Sequence, residues 1–196
     1  ELAQDYEDAL NRTRIWAQEI RFRIGVHLLR GISDTAIAAK AYSDLAETCL
    51  SQLFPLVCAN LATRHGHAPG RVAAVIAMGK LGSREMTVTS DLDLIVIYDG
   101  TAQEESDGKR PLPLGTYYAR LTQALISALT VETSEGRLYE VDLRLRPSGR
   151  KGPVAVTLGA FEAYQAEQAW TWEHLALLRA RVVAGDADMR AATSQA

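Results

Sequence analysis

The stretch that decides the fold is residues 77–98, which read Ala77-Met-Gly-Lys-Leu-Gly-Ser-Arg-Glu-Met-Thr-Val-Thr-Ser-Asp-Leu-Asp-Leu-Ile-Val-Ile-Tyr98. From Leu92 to Tyr98 the residues are apolar and largely β-branched, with Asp93 as the exception. Such a run is typical of a strand that is covered on both faces. The stretch therefore predicts a turn of small residues, a short polar segment and a buried strand that begins with two carboxylates.

Asp91 and Asp93 flank Leu92 at the start of this predicted strand. Because side chains alternate along a strand, both carboxylates point to one side, while Leu92 and Leu94 point to the other. Two adjacent carboxylates repel each other unless a cation joins them. Oxygen-only ligands select a hard ion, and Mg²⁺ is usually bound by one or two carboxylates together with substrate phosphates. The other interpretation is a pair of capping residues at the edge of the strand.

The Gly82-Ser83 pair lies in the turn before the strand. A glycine lets backbone N–H groups approach a phosphate closely, and the serine hydroxyl can donate a hydrogen bond to a β- or γ-phosphate oxygen. A phosphate-binding turn followed by paired carboxylates predicts a metal-dependent phosphoryl or nucleotidyl transferase.

Residues 138–146 alternate between apolar and charged side chains and read Leu138-Tyr-Glu-Val-Asp-Leu-Arg-Leu-Arg146. The alternation predicts a strand that presents Asp142, Arg144 and Arg146 on one face. A solvated outer face is one explanation of these charges. Beside an Asp-x-Asp strand, Asp142 would instead supply a third carboxylate, and the two arginines would offer planar, fixed charges to triphosphate oxygens.

Three aspartates on adjacent strands fit in-line nucleotidyl transfer assisted by two Mg²⁺ ions. Asp91 and Asp93 would hold the ion bound to the nucleotide, and with Asp142 they would hold a second one. We expect Asp142 to accept the proton of the attacking hydroxyl. None of these motifs places a covalent nucleophile, so we predict direct transfer.

The rest of the pattern predicts an α+β protein with a small mixed sheet and flanking helices. Apolar residues at helical spacing predict a helix from Leu2 to near Gly31 and a second one, capped by Ser33 or Asp34, that Pro55 kinks or divides before about Arg64. The later predictions are a strand at 72–77, a helix at 116–130, a strand near 154–156 and a helical pattern from Leu158 to Val182.

Composition narrows the class of protein and its compartment. With 47% hydrophobic and 23% charged residues and a net charge of −3, the chain is an ordinary globular protein and a poor general nucleic-acid binder. No apolar run approaches the roughly 20 residues of a membrane helix, so we expect no membrane partner. Cys49 and Cys58 lie in an apolar helical pattern, which favours buried thiols in a reducing compartment, so we expect a cytoplasmic location. Glu1 is not a natural start, so we expect a piece of a longer chain.

Three further groups of residues have two interpretations each. The arginines of the first predicted helix favour a solvated face over a site for an acidic partner: Arg12, Arg14, Arg21, Arg23 and Arg30. His65 and His67 favour a polar loop over a metal pair. Trp170 and Trp172 favour packing over a substrate platform, and His174 favours a helix position over a catalytic one.

Four ordered motifs resemble those of a known enzyme family. They are Gly79-Lys-Leu-Gly-Ser-Arg-Glu-Met86, Ser90-Asp-Leu-Asp-Leu-Ile95, Tyr139-Glu-Val-Asp-Leu-Arg-Leu-Arg-Pro-Ser-Gly149, and Ala169-Trp-Thr-Trp-Glu-His174 with Arg179-Ala-Arg-Val-Val183. Gly-Ser, a spacer, Asp-x-Asp and a later carboxylate resemble the DNA-polymerase-beta-like nucleotidyltransferases. The full set, over about residues 72–186, resembles bacterial glutamate–ammonia-ligase adenylyltransferase.

The resemblance implies one of two related domains of a bifunctional regulator of glutamine synthetase. One domain attaches AMP from ATP to a tyrosine of glutamine synthetase, and the other removes it by phosphorolysis. Ser148 and the Trp170–Trp172 pair resemble the attaching domain. A non-catalytic module that binds nucleotide or a regulatory protein is the alternative from another class.

The resemblance also assigns residues and partners. It implies Mg²⁺ as cofactor, with the catalytic and metal-binding set Asp91, Asp93 and Asp142, and the nucleotide-binding set Gly82, Ser83, Ser90, Arg144 and Arg146. Ser83 stands where many members have a second glycine, which puts one phosphate contact in question.

For the whole chain, the helical pattern of the first residues and the resemblance of the rest together predict three parts, and the resemblance implies two regulators. The parts are an N-terminal helical segment at 1–66, a polymerase-beta-like core at 67–168 and, at 169–196, a helix that leads to a further helical domain. The regulators implied for the full-length enzyme are glutamine and a PII-type signalling protein.

Overall fold

The computed structural model describes residues 2–69, 73–100, 104–185 and 188–189. Its helices are α1 (Leu2–Leu29), α2 (Thr35–His65), α3 (Gly79–Ser83), α4 (Leu114–Thr130), α5 (Leu158–Glu167) and α6 (Thr171–Leu177), with a 3₁₀ turn at Gly149–Lys151. Its strands are β1 (Ala74–Ala77), β2 (Leu92–Tyr98), β3 (Val141–Asp142), β4 (Val156–Thr157) and β5 (Arg181–Ala184).

The five strands of the described chain form one small mixed sheet. β1 lies antiparallel between β2 and β5. β3 and β4 both run parallel to β2 along its other edge, where Leu92 lies opposite Val141 and Ile97 lies opposite Val156. The predicted α+β class with a small mixed sheet and flanking helices is confirmed.

The two faces of the sheet are covered by different apolar clusters. Leu92 and Leu94 face the larger cluster, which contains buried residues of α1, α2 and α4. Ile95 and Ile97 face a smaller cluster that includes Phe161 of α5. The strand is therefore covered on both faces, as predicted from its run of β-branched residues. The larger cluster contains residues of both the predicted N-terminal segment (1–66) and the predicted core (67–168).

The second helix begins and ends as the sequence suggests but is not interrupted. Asp34 caps it, since its carboxylate accepts a hydrogen bond from the Ile37 amide. The helix continues past Pro55 to His65, so the prediction that Pro55 divides it is wrong. α2 is long and apolar enough by composition to cross a membrane, which the sequence analysis did not anticipate. In this fold it packs against α1, α4 and β5. A helix in a protein core can have the same length and apolar composition as a membrane-spanning helix.

Two predicted elements differ in the structure. The strand predicted at 138–146 is reduced to Val141–Asp142, after which the chain turns. The helical pattern predicted to run to Val182 ends at Leu177, and Arg181–Ala184 form a strand. β-Branched Val182 and Val183 prefer a strand, and the edge of β1 offers the backbone partners that make one. Val72 lies outside the described residues, as do 186–187 and 190–196 of the C-terminal segment.

Candidate active site

The sheet brings the predicted carboxylates together at one end of β2. Asp93 lies directly opposite Asp142 in the parallel pairing of β2 with β3. Asp91 precedes the strand, and its charge acts on Asp93. The chain enters the adjacent turn from β1, where the Met78 amide donates to the Asp93 carbonyl over 2.9 Å. Two segments far apart in sequence thus bring Asp91 and Asp142 near enough to Asp93 for their charges to act on it.

The surroundings of Asp93 perturb the pKa of its carboxyl group. Burial raises the pKa of its carboxyl above the ordinary value, and the neighbouring charges of Asp91 and Asp142 raise it further. Arg144 and Lys80 act in the opposite direction. The folded protein therefore disfavours the ionised form of Asp93, and a bound cation would stabilise that form.

In this structure Arg144 forms an ion pair with Asp142, the third carboxylate of the cluster. Its backbone amide donates to Asp142 Oδ1 over 2.7 Å, its Nε donates to Oδ2 over 2.6 Å, and its Nη2 also contacts Oδ2. The hydrogen bond and the negative charge of Asp142 raise the pKa of the exposed Arg144 guanidinium. Arg144 therefore lies beside the acidic cluster, where its remaining donors can meet an anionic ligand.

The donor chemistry of the cluster suits Mg²⁺, since all three side chains offer only oxygen. The described residues nevertheless contain no group of three His, Cys, Asp or Glu side chains already spaced to hold a metal ion. Asp142 would have to exchange Arg144 for the ion before all three carboxylates could share it.

The two glycines of the turn are constrained by protein contacts. Gly79 has a φ of +51°, and a Cβ there would collide with the Asp93 carboxylate. Gly82 is buried, and a Cβ on it would collide with the backbone carbonyl of Arg179. The close approach that the sequence assigned to Gly82 and a phosphate is thus, in the fold, an approach to protein backbone. Gly79 is the residue whose missing side chain leaves room beside Asp93.

The two serines of the predicted nucleotide site have internal partners. Ser83 Oγ contacts Glu85 Oε2 at 2.8 Å and the Gly79 carbonyl at 3.2 Å. Ser90 Oγ accepts from the Thr87 amide over 2.9 Å, which closes the turn before Asp91. Ser83 remains at the surface of its turn, whereas Ser90 shapes the approach to Asp91.

Arg146 lies in a different environment from Arg144. It is buried, and its guanidinium donates to the backbone carbonyls of Leu143, Gly152 and Pro153. Burial lowers its pKa. The structure thus brings Arg144 to the carboxylates, but uses Arg146 to close the loop that follows β3. A phosphate-binding role for Arg146 remains a prediction.

Three side chains of α1 support the segment before Asp142, and sequence reasoning missed them. Arg14 donates to the Ala128 carbonyl over 3.0 Å, Gln18 donates to the Glu135 carbonyl, and Arg21 donates to the Leu138 carbonyl over 2.8 Å. Arg21 also lies over the Tyr139 ring, 4.8 Å from its centroid. The prediction of a solvated arginine face is therefore wrong for buried Arg14, although Arg12 is exposed.

The remaining candidates have clear locations. His65 is the last residue of α2 and is buried between the Arg110 carbonyl and the Arg120 guanidinium, so the prediction of a polar loop is wrong for His65. Trp170 and Trp172 are 71% and 56% exposed, so the prediction that they pack in the core is wrong. The buried thiol predicted at Cys49 is confirmed, and burial raises the pKa of Cys49 to about 12.

Comparison with known proteins decides the family. The family model of glutamate-ammonia ligase adenylyltransferase matches residues 1–196, the whole chain. The chain belongs to the glutamate-ammonia ligase adenylyltransferase family. The resemblance noted from the four motifs is thereby confirmed and extends to the N-terminal helices.

Curated relatives of this family are similar along nearly the whole chain. Each of the following is named bifunctional glutamine synthetase adenylyltransferase/adenylyl-removing enzyme. The Mesorhizobium japonicum protein is 54% identical over 92% of this chain, the Brucella suis protein 55% over 94%, and the Rhodopseudomonas palustris protein 52% over 98%. The chain spans 18–20% of the length of these relatives. The chain therefore matches one part of each of these longer relatives.

Proposed function

We propose that this chain is the adenylylating domain of a glutamine synthetase adenylyltransferase, which transfers AMP from ATP to a tyrosine hydroxyl of glutamine synthetase and releases pyrophosphate. The observation that carries the proposal is the register of β2 and β3, which sets Asp93 opposite Asp142 and beside Asp91. Family membership supports nucleotide as substrate and glutamine synthetase as target.

Each residue of the cluster has a separate task in this proposal. Asp91 and Asp93 hold the charge that binds the nucleotide's cation. Asp142 accepts the proton of the attacking hydroxyl, for which it must part from Arg144. Arg144, once released, donates to triphosphate oxygens, and its planar guanidinium is suited to them.

Mg²⁺ would be held by Asp91, Asp93 and Asp142, and when bound it supplies charge stabilisation at phosphoryl oxygens and lowers the pKa of an attacking hydroxyl. The raised pKa of Asp93 supports this assignment, because burial, and then the charges of Asp91 and Asp142, disfavour an ionised carboxylate that a bound cation would stabilise. Control by glutamine and a PII-type protein, and a cytoplasmic location, remain predictions from the family resemblance.

The direction of the reaction is the finer part of the proposal. The relatives' names include both an adenylyltransferase and an adenylyl-removing activity. Ser148 and the Trp170–Trp172 pair favour the attaching direction by resemblance. The removing direction, which would form ADP from phosphate and AMP-modified glutamine synthetase, is the second candidate.

The test supplies the chain with Mg²⁺, α-labelled ATP and unmodified glutamine synthetase in the absence of phosphate. We expect label on the synthetase with the wild-type chain and with the control Asp8→Asn, which alters an exposed aspartate of α1. We expect none with Asp93→Asn. Release of ADP from AMP-modified synthetase and phosphate, without labelling in the first assay, would instead assign the removing direction.

A further inference from the structure

The guanidinium of Arg181 joins three elements beside the nucleotide turn. Its Nε donates to the Gly82 carbonyl over 2.9 Å, and its Nη2 donates to the Leu81 carbonyl over 3.0 Å. Its Nη1 contacts Glu47 Oε2 of α2 at 2.8 Å. One side chain from β5 thus connects the end of α3 with the middle of α2.

The two carbonyls that Arg181 contacts lie near the C-terminal end of α3. α3 has only five residues, so its last carbonyls lack helical partners. The Arg84 amide reaches the Leu81 carbonyl at 3.3 Å, a long bond from a residue in the left-handed region. A cation at the end of a helix also interacts favourably with its exposed carbonyls. Arg181 therefore supplies contacts that the turn cannot supply itself.

The backbone next to Arg181 holds the same turn from a second point. Gly82 lies so close to the Arg179 carbonyl that a Cβ would not fit between them. Arg181 pairs with Ala77 in the sheet, and Ala77 is two residues before Gly79. Residues 179–181 consequently fix both the start and the end of the turn that lies against Asp93.

Glu47 anchors the guanidinium on the other side. It is shared between Arg181 and Arg84, whose Nη2 lies 3.6 Å from Glu47 Oε2. Arg84 also contacts Asp44, one turn earlier on α2. A lysine at position 181 would keep the charge but could not offer the same fork of donors to two carbonyls and a carboxylate.

We propose that Arg181 is a positioning residue that holds the Gly79–Ser83 turn in place for the triphosphate, with Glu47 as its anchor. The inference rests on the proposed function, and on the expectation from the sequence that Ser83 of this turn contacts a phosphate of ATP. It predicts that loss of the fork weakens nucleotide binding and leaves the affinity for the protein substrate unchanged.

The test measures Mg–ATP affinity by calorimetry for the wild-type chain, Arg181→Lys and the control Arg12→Lys. We expect about a tenfold weaker Kd for Arg181→Lys, because hydrogen bonds to a charged group are lost. Arg12 is exposed and pairs with Asp8 rather than with the nucleotide turn or Glu47, so its variant should bind as the wild type does. In the labelling assay, the KM for ATP should rise in Arg181→Lys while the KM for glutamine synthetase stays constant.

Glu47→Gln tests the anchor separately, because it removes the carboxylate charge and preserves the two hydrogen bonds from Arg181 to the Gly82 and Leu81 carbonyls. We expect about a threefold weaker Kd, and no additional loss when it is combined with Arg181→Lys. Wild-type ATP affinity in folded Arg181→Lys, or equal losses for ATP and glutamine synthetase, would overturn the inference. A wild-type chain that binds no Mg–ATP would instead contradict the proposed function itself.

Discussion

The two sides of the carboxylate cluster are built in contrasting ways. Asp93 lies on β2, a strand of seven residues that is buried on both faces and paired with β1. Asp142 lies on β3, which has two residues and is followed at once by a turn. The first side is held by the core, and the second side is held by polar side chains, among them Arg21 of α1.

This contrast shows where each side can move. A strand inside a sheet moves only with its neighbours, because its backbone groups are all paired and its side chains are close-packed. A short edge strand is fixed by a few side-chain bonds, and Asp142 is itself bonded to Arg144. We infer that the Asp93 side provides a rigid reference, whereas the Asp142 side adjusts when Arg144 is exchanged for ligand.

The largest expected effect tests whether both sides take part in the chemistry. Asp93→Asn and Asp142→Asn should each lower AMP transfer by about a thousandfold, as for groups that act on developing charge. The measurement is the rate of labelling of glutamine synthetase, with Asp8→Asn as control. Retention of activity in Asp142→Asn alone would restrict catalysis to the β2 side.

Gly79→Ala should displace the Asp93 carboxylate, on the rigid side of the cluster, without removing a charge. The residue has a φ of +51°, and the new methyl group would collide with the Asp93 carboxylate. We expect about a hundredfold lower kcat, because a shift of roughly 1 Å in a positioned group costs that much. Gly159→Ala on α5 is the matched control, since no atom lies within 4 Å of its added Cβ. Equal rates in the two variants would show that the carboxylate is free to move.

Arg21→Met should loosen the adjustable side from a distance. It removes the hydrogen bond to the Leu138 carbonyl and the contact with the Tyr139 ring. We expect the free energy of unfolding to fall by about 1–3 kcal/mol, measured by denaturant titration. The kcat should fall about tenfold, less than in Gly79→Ala, because Asp142 keeps its pairing with Asp93. Arg12→Met, on the exposed face of α1, should change stability by no more than about 0.5 kcal/mol.

The smallest expected effect concerns stability and pH. Since the pKa of Asp93 is raised in the folded state, its ionisation destabilises the fold as pH rises from the unfolded value of 3.8 through the folded pKa. Asp93→Asn should therefore be more stable than the wild type at pH 7, and the difference should vanish below pH 3.8. Unfolding curves at both pH values measure this. Added Mg²⁺ should raise the Tm of the wild type and leave that of Asp93→Asn unchanged.

Much of the rigid side could be predicted from the sequence. The β-branched run of β2 forms a strand because its residues suit a covered, pleated surface wherever they are placed. The Asp34 cap and the helical apolar stripes are similarly local features. Each of these signals lies within one segment, so the sequence of that segment suffices to recognise it.

The adjustable side depended on partners far along the chain. The alternation at 138–146 predicted a long strand, but β3 contains only the two residues that pair with β2. Arg146, which was predicted to face the nucleotide, instead donates hydrogen bonds to carbonyls of its own loop. At the opposite edge of the sheet, Val182 ended a predicted helical pattern, yet the edge of β1 offers the backbone partners that make it part of a strand.

The sequence by itself determined the family, the buried strand and the presence of three carboxylates. Only the tertiary structure decided that Gly79 leaves room for Asp93, that Arg144 pairs with Asp142 and that Arg181 holds the turn. The physical reason is that patterning records which side chains must be buried, whereas the partner of a polar group is set by whichever backbone or charge the fold brings within about 3 Å.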